Sequence, residues 1–248
     1  KVSGILIAFL LLILTLIPPL SVPMFRIPHP TGKFKVGSSI LFFRDTARID
    51  AFSNENNRFR ELSVRVWYPA SPGNREKRMP YMQRDEARYL AMHTNSPVFI
   101  LTHFSLIKTD SYLNSEPLKG HFPVIFYSPS GSIVDNTTLC QELASHGYVV
   151  LSVGHPYWNA FYYNEKEKVV PLDVENKHYK SMWEDENSSE VIKIKEEITN
   201  AKDLHSKQMA QQMLNEYMPE EVADIRLWAG DISFLLDQIE GKAITRSE

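Results

Sequence analysis

The stretch FPVIFYSPSGSIVDNTTLCQELASHGYVVLSV, Phe122 to Val153, decides the fold of this chain. It holds two continuous apolar runs, Phe122–Tyr127 and Tyr148–Val153, of the kind that parallel strands covered on both faces require. Between them Leu139, Cys140, Leu143 and Ala144 recur at helical spacing over Thr137–His146, and Gly147 stands where a helix C-cap favours glycine. The segment reads strand, turn, helix, strand. Such units build α/β folds with right-handed crossovers, and the turn that leaves the first strand sits at the carboxyl edge, where ligands usually bind.

Upstream, Ile40–Phe43 reads as a strand, and Glu61–Tyr68 alternates Leu62, Val64 and Val66 against Ser63, Arg65 and Trp67. That period of two marks a half-buried strand. Downstream, Asp185–Tyr217 reads as one or two long helices with Val191, Ile194, Ile198, Ala201 and Leu204 on one stripe. Met209, Met213, Leu214 and Tyr217 extend this apolar face, which suits a helix packed on the core, or else a lid or membrane-facing surface. Pro219 punctuates. Glu220–Glu240 reads as a second amphipathic helix, with a core stripe of Val222, Ile225, Ala229, Ile232, Leu235, Leu236 and Ile239, ended by Gly241.

Composition bounds the function. The 248 residues are 43% hydrophobic and 23% charged, the profile of a globular protein with one sizeable core. Lysine and arginine number 27 against 30 acidic residues, a net charge of -3, so no global basic field attracts nucleic acid. Cys140 is the single cysteine and cannot form an intrachain disulfide. Neither a CxxC pair nor a Cys/His cluster offers metal-ligand spacing, so no metal and no cofactor is expected.

The mean hydropathy of -0.27 averages a mostly polar chain with one apolar block at its start. From Val2 to Leu20 no residue is charged, and Ile5–Ile17 is interrupted only by Thr15, which nears the ~20 residues that span a bilayer. A membrane helix ended by Pro18-Pro19 is the leading reading. A signal peptide is the rival, although Leu20-Ser21-Val22 is a poor cleavage site, and a buried helix is the third. Lys1 and Arg26 flank both ends, so charge does not set the orientation. The chain begins with lysine, which leads us to expect sequence upstream and a single or last membrane span.

Ser128-Pro129-Ser130-Gly131-Ser132 follows the first apolar run directly, and small residues there let backbone N–H groups face an anionic ligand or an oxyanion. The same composition also makes an ordinary loop. Cys140 on the apolar helix face reads as a core residue, and His146 beside the helix cap as a surface one. His155 closes the second apolar strand, a position that lines sites, but the sequence beside it holds no Ser, Cys or carboxylate to give it a role. No G-x-S-x-G occurs, so the elbow that exposes a serine nucleophile is missing from these residues.

Several blocks together resemble the bacterial membrane-anchored members of the platelet-activating-factor acetylhydrolase family of α/β-hydrolases, related to dienelactone-hydrolase-like esterases. They are Ile27–Gly32 with Val36-Gly37, Arg60–Ala70, Thr109–Leu113, Phe122–Ser128, Leu143–Val150 and Asp231–Gln238. In this order they cover nearly all of the chain beyond the apolar block. The resemblance implies a serine carboxylic-ester hydrolase of lipid catabolism that cleaves a short acyl ester from a lipid. It places an oxyanion-hole N–H at Gly131, with Ser130 where the family usually has glycine; Ser130, and His155 from its place at the end of the second apolar strand, are expected to line the site. It also implies that the serine, aspartate and histidine of the triad follow the Asp231–Gln238 helix, so the chain is expected to stop short of them and to be inactive by itself.

The expected architecture is thus an α/β-hydrolase fold truncated before the nucleophile elbow. Residues 1–25 form a transmembrane anchor, and residues 26–248 the first part of the hydrolase domain, with a helical insertion at about 164–220. The expected partners are a lipid or small ester substrate and the membrane, with no nucleic acid. A non-catalytic, membrane-anchored α/β-hydrolase-like binding or scaffolding protein is the alternative.

Overall fold

The computed structural model describes residues 2–21, 24–53, 55–166 and 168–240. Six strands form one sheet: β1 Lys35–Ile49, β2 Phe59–Ala70, β3 Arg78–Pro80, β4 Lys108–Leu113, β5 Val124–Tyr127 and β6 Val149–Gly154. Their order is β3-β4-β1-β2-β6-β5. β5 pairs parallel to β6 with Tyr127 opposite Ser152, and β2 pairs antiparallel to β6 with Val66 opposite Leu151. A separate hairpin joins β7 Phe161–Tyr163 to β8 Val169–Pro171. The helices are α1 Val2–Ser21, α2 Arg84–His93, α3 Val98–Leu101, α4 Thr137–Ser145, α5 Lys177–Glu186, α6 Ser189–Asn200, α7 Leu204–Tyr217 and α8 Pro219–Ile239.

The strand-turn-helix-strand reading is realised as β5, the Ser128–Ser132 turn, α4 and β6. Gly147 takes φ +98°, a conformation open to glycine, and its N–H donates to Ala144 O at 3.1 Å, closing α4 where the sequence places the cap. β6 is buried along its whole length, as a strand covered on both faces must be. β5 is not. Val124 is 38% exposed and the rest of β5 is half-buried, because β5 stands last in the sheet order with β6 as its described neighbour. The expectation of full cover is corrected there.

β2 departs in the other direction. Its alternation predicts one wet face, yet Leu62 through Ala70 are all buried, since β2 runs between β1 and β6. The polar positions find partners inside: Ser63 Oγ accepts the Tyr163 N–H at 3.2 Å, and Arg65 reaches Glu86 at 2.8 Å.

Packing divides the chain into two units. Among the described residues the first comprises 2–43 and 61–172, the second 44–60 and 173–240. In the first, Cys140 and Ala144 of α4 pack with Val36, Trp67, Met79 and Val150. A further cluster joins Met82 and Ala87 to Ile133, Val134, Ala160, Phe161 and Tyr163. Each fully buried Val, Ile, Met or Phe side chain among them contributes roughly 1.5–3 kcal/mol.

In the second unit the Asp185–Tyr217 region holds α6, α7 and the end of α5 rather than one or two long helices. Ser188 Oγ accepts the Val191 N–H at 3.3 Å and Asp203 Oδ1 the Ser206 N–H at 2.8 Å, so two N-caps start α6 and α7 separately. Val191, Ile194, Leu214 and Met218 form the core between these helices, while Leu204, expected on the stripe, is 71% exposed. α8 matches its expected span, but its buried face is Asp224, Asp231 and Leu235, with Ile225 and Leu236 exposed. Guanidinium and imidazole partners explain the change: Asp231 takes the buried Arg60 at 2.8 Å and the partly exposed Arg48 at 3.0 Å, and Asp224 takes the partly exposed His178 at 2.9 Å. Gly241, the expected stop, lies outside the described residues.

α1 is helical through Pro18 and Pro19, and Ile5 to Ile13 are exposed. Among the described residues no helix is long and apolar enough to cross a membrane.

Candidate active site

The parallel register of β5 and β6 brings two turns side by side at the carboxyl ends of these strands. Ser128 begins one and His155 the other. Ser128 Oγ and His155 Nε2 lie 2.9 Å apart, a hydrogen bond whose direction follows the tautomer. Ser128 is exposed and His155 is fully buried. The missing partner of His155 in the sequence is therefore supplied in space by the first residue of the predicted turn. Gly154, just before His155, lets β6 lie close to Ile133 and to β2, since a Cβ there would stand 2.8 Å from the Ile133 side chain and 2.9 Å from Ser63 O.

The Ser128–Ser132 turn is organised around a carboxylate that the sequence reading passed over. Asp135 Oδ2 accepts the Gly131 N–H at 3.0 Å and the Ser132 N–H at 2.9 Å, and Oδ1 accepts the Ser132 hydroxyl at 2.9 Å. Two successive backbone donors thus converge on one negatively charged oxygen, the arrangement that holds an anion. The Gly131 N–H, expected to serve an oxyanion, is occupied by this internal acid. The charge of Asp135 also reaches Tyr81, whose hydroxyl pKa is raised first by burial and then by Asp135 and Glu86.

The second turn, His155–Ala160, grips the first. Asn159, 1% exposed, accepts the His155 N–H through Oδ1 at 2.7 Å and donates through Nδ2 to Pro129 O at 3.4 Å. Ala160 N–H donates to Gly131 O at 3.0 Å. Tyr157 in this turn sits at φ +69°, a left-handed conformation that costs a bulky residue of order 1–3 kcal/mol and persists only where its surroundings enforce it.

The other candidates fall away from this place. Cys140 is 2% exposed, and burial pushes its thiol pKa to about 12, so it stays protonated and packs as an apolar residue. His146 is exposed and pairs with Glu142 at 3.0 Å. Ser130 is exposed. A cavity of about 340 Å³ lies against Ser38, Arg65, Met79 and Leu113, and none of Ser128 to Ser132 lines it. Among the described residues no group of three or more His, Cys, Asp and Glu side chains is placed to hold a metal ion.

The sequence model of the family described as platelet-activating factor acetylhydrolase, isoform II, matches residues 20–223, and the chain belongs to that family. No curated protein matches the sequence closely enough to count as a relative. Among solved structures, the ferulic acid esterase from Streptomyces cinnamoneus is similar in fold, with a TM-score of 0.52 and 20% identity over 71% of this chain. The chain spans about half of that structure, covering 46% of it.

Proposed function

We propose that this member of the platelet-activating factor acetylhydrolase family supplies the scaffold and the oxyanion-binding turn of a serine carboxylic-ester hydrolase that removes a short acyl group from a lipid-like ester. The observation that carries the reading is the convergence of the Gly131 and Ser132 N–H groups on a charged oxygen beside the carboxyl end of β5. In acyl transfer a serine attacks the ester carbonyl, a histidine takes and returns the proton, and backbone N–H groups stabilise the oxygen that becomes negative. Gly131 serves as that donor once Asp135 yields or shares its N–H. The nucleophile, its base and its aspartate come from outside these 248 residues, which hold no G-x-S-x-G. The uncharged run Val2–Leu20 anchors the protein at the bilayer, where an amphiphilic ester concentrates.

The test is hydrolysis of p-nitrophenyl acetate by the product of the whole gene and by the 248-residue chain. The first turns over and the second stays at the buffer rate. Gly131→Pro, which removes the N–H, lowers kcat of the whole product by about 10²–10³. Saturable turnover by the 248-residue chain would place the nucleophile inside it. Removal of Lys1–Ser21 moves the whole product from the membrane pellet to the supernatant, and full-length protein that washes off with carbonate would overturn the anchor. A second reading, a non-catalytic binding or scaffolding protein, is favoured by the hold of Asp135 on both N–H groups, and an inert whole-gene product selects it.

A further inference from the structure

We infer that His155 and Asn159 are positioning residues, whose task is to fix the Ser128–Ser132 turn so that its N–H groups keep their aim. The inference rests on the ester-hydrolase reading for its effect on rate, and on geometry alone for its effect on the turn. Three polar links run from one turn to the other: Ser128 Oγ to His155 Nε2, Asn159 Nδ2 to Pro129 O, and Ala160 N–H to Gly131 O. They fall on three of the four residues from Ser128 to Gly131. The far end of the turn is pinned by packing, because Ile133 and Val134, both fully buried, share one apolar cluster with Ala160 and Phe161. The first turn is therefore held at both ends by the residues that follow β6.

Asn159 occupies the centre of this arrangement. Its Oδ1 fastens the His155 backbone and its Nδ2 the Pro129 carbonyl, so one buried amide sets the spacing of the two turns. A histidine fits the neighbouring position because Nε2 can meet a hydroxyl as donor or acceptor. A serine and a histidine at this distance can also be a nucleophile and its base, but the two other polar links between the turns, from Asn159 and Ala160, go to backbone carbonyls of the facing turn. An oxyanion donor displaced by as little as about 1 Å can lower a rate by 10²-fold, so a clamp on the turn acts on kcat.

The test uses the product of the whole gene and two readouts. His155→Ala, Asn159→Ala and Ser128→Ala are each expected to lower kcat about ten-fold or more with KM little changed, and to speed hydrogen exchange at the Gly131 and Ser132 amides. Ser128→Ala and His155→Ala together cost no more than one alone, since both break the same bond. His155→Gln, whose side-chain amide can still meet the serine, restores part of kcat, and it carries the test if His155→Ala fails to fold. Reaction with a fluorophosphonate persists in Ser128→Ala. Loss of that labelling would make Ser128 the nucleophile and overturn the inference, as would unchanged exchange at both amides or an unchanged kcat in folded variants. If the wild-type product is inert toward esters while the variants still speed exchange, the clamp stands and the ester-hydrolase reading falls.

Discussion

β2 carries two buried arginines, one in each unit, and the two are neutralised differently. Arg65, 2% exposed in its side chain, pairs among the described residues with one carboxylate: Glu86 at 2.8 Å, itself fully buried and hydrogen-bonded to the Tyr163 hydroxyl. Arg60, 1% exposed, shares a network in which Asp231 takes it at 2.8 Å, Asp50 lies at 3.7 Å, and Arg48 bridges Asp231 to Asp45. Two guanidinium groups there face three carboxylates. A charge taken out of water is costly until it is paired, and removing the only partner exposes the whole cost. Removing one of several partners exposes part of it. The Arg65 arrangement is therefore the more fragile, and the Arg60 arrangement is redundant.

The largest expected effect is at Glu86. Besides Arg65 and Tyr163 it accepts the Gln83 N–H at 2.5 Å at the start of α2, so Glu86→Ala strips a buried cation, a buried hydroxyl and a helix cap together. Urea unfolding at pH 7 should show a loss of about 3–5 kcal/mol. Asp231→Ala comes next, at about 1–3 kcal/mol, because Asp50 and Asp45 remain to face Arg60 and Arg48. A loss at Asp231 equal to or greater than that at Glu86 would break the comparison, since redundancy would then protect nothing.

Neither cluster was visible beforehand, and the reason is physical. Arg65 falls on the polar phase of an alternating strand, and alternation records which side chains differ in polarity, not which find a buried partner. The stripe drawn on α8 failed likewise: it followed the apolar residues Ile225 and Leu236, while the inward face carries Asp224 and Asp231. What could be read was local. Apolar runs, helical spacing and Gly147 gave β5, α4 and β6, and a turn of small residues gave the place of the candidate site. The Ser128–His155 contact depends on β5 and β6 pairing in parallel with Tyr127 opposite Ser152, a register that joins residues 27 apart. Asp135 was closer to hand, four residues beyond Gly131, where a short acidic side chain can fold back onto preceding N–H groups.

The smallest effect at neutral pH, and the one that separates the Arg65 cluster most cleanly, concerns alkali. The Tyr163 pKa is raised well above 10.0, first by burial and then by the charge of Glu86, with Arg65 opposing. The folded protein keeps this proton while the unfolded chain releases it above about pH 10, so the stabilising contribution is complete below that pH and is lost as pH rises. The slope approaches about 1.4 kcal/mol per pH unit. Cys140 acts in the same direction from a lower start, because burial raises its thiol from 9.0 to about 12. Tyr163→Phe should cost about 1 kcal/mol at pH 7 through the lost hydrogen bond to Glu86, yet flatten the decline above pH 10. Cys140→Ala should flatten the part between pH 9 and 10, where the tyrosine still holds its proton in both states. Urea midpoints measured from pH 8 to 11 distinguish the two. If Tyr163→Phe declines above pH 10 as steeply as the wild type, the alkaline sensitivity lies outside the Arg65 cluster.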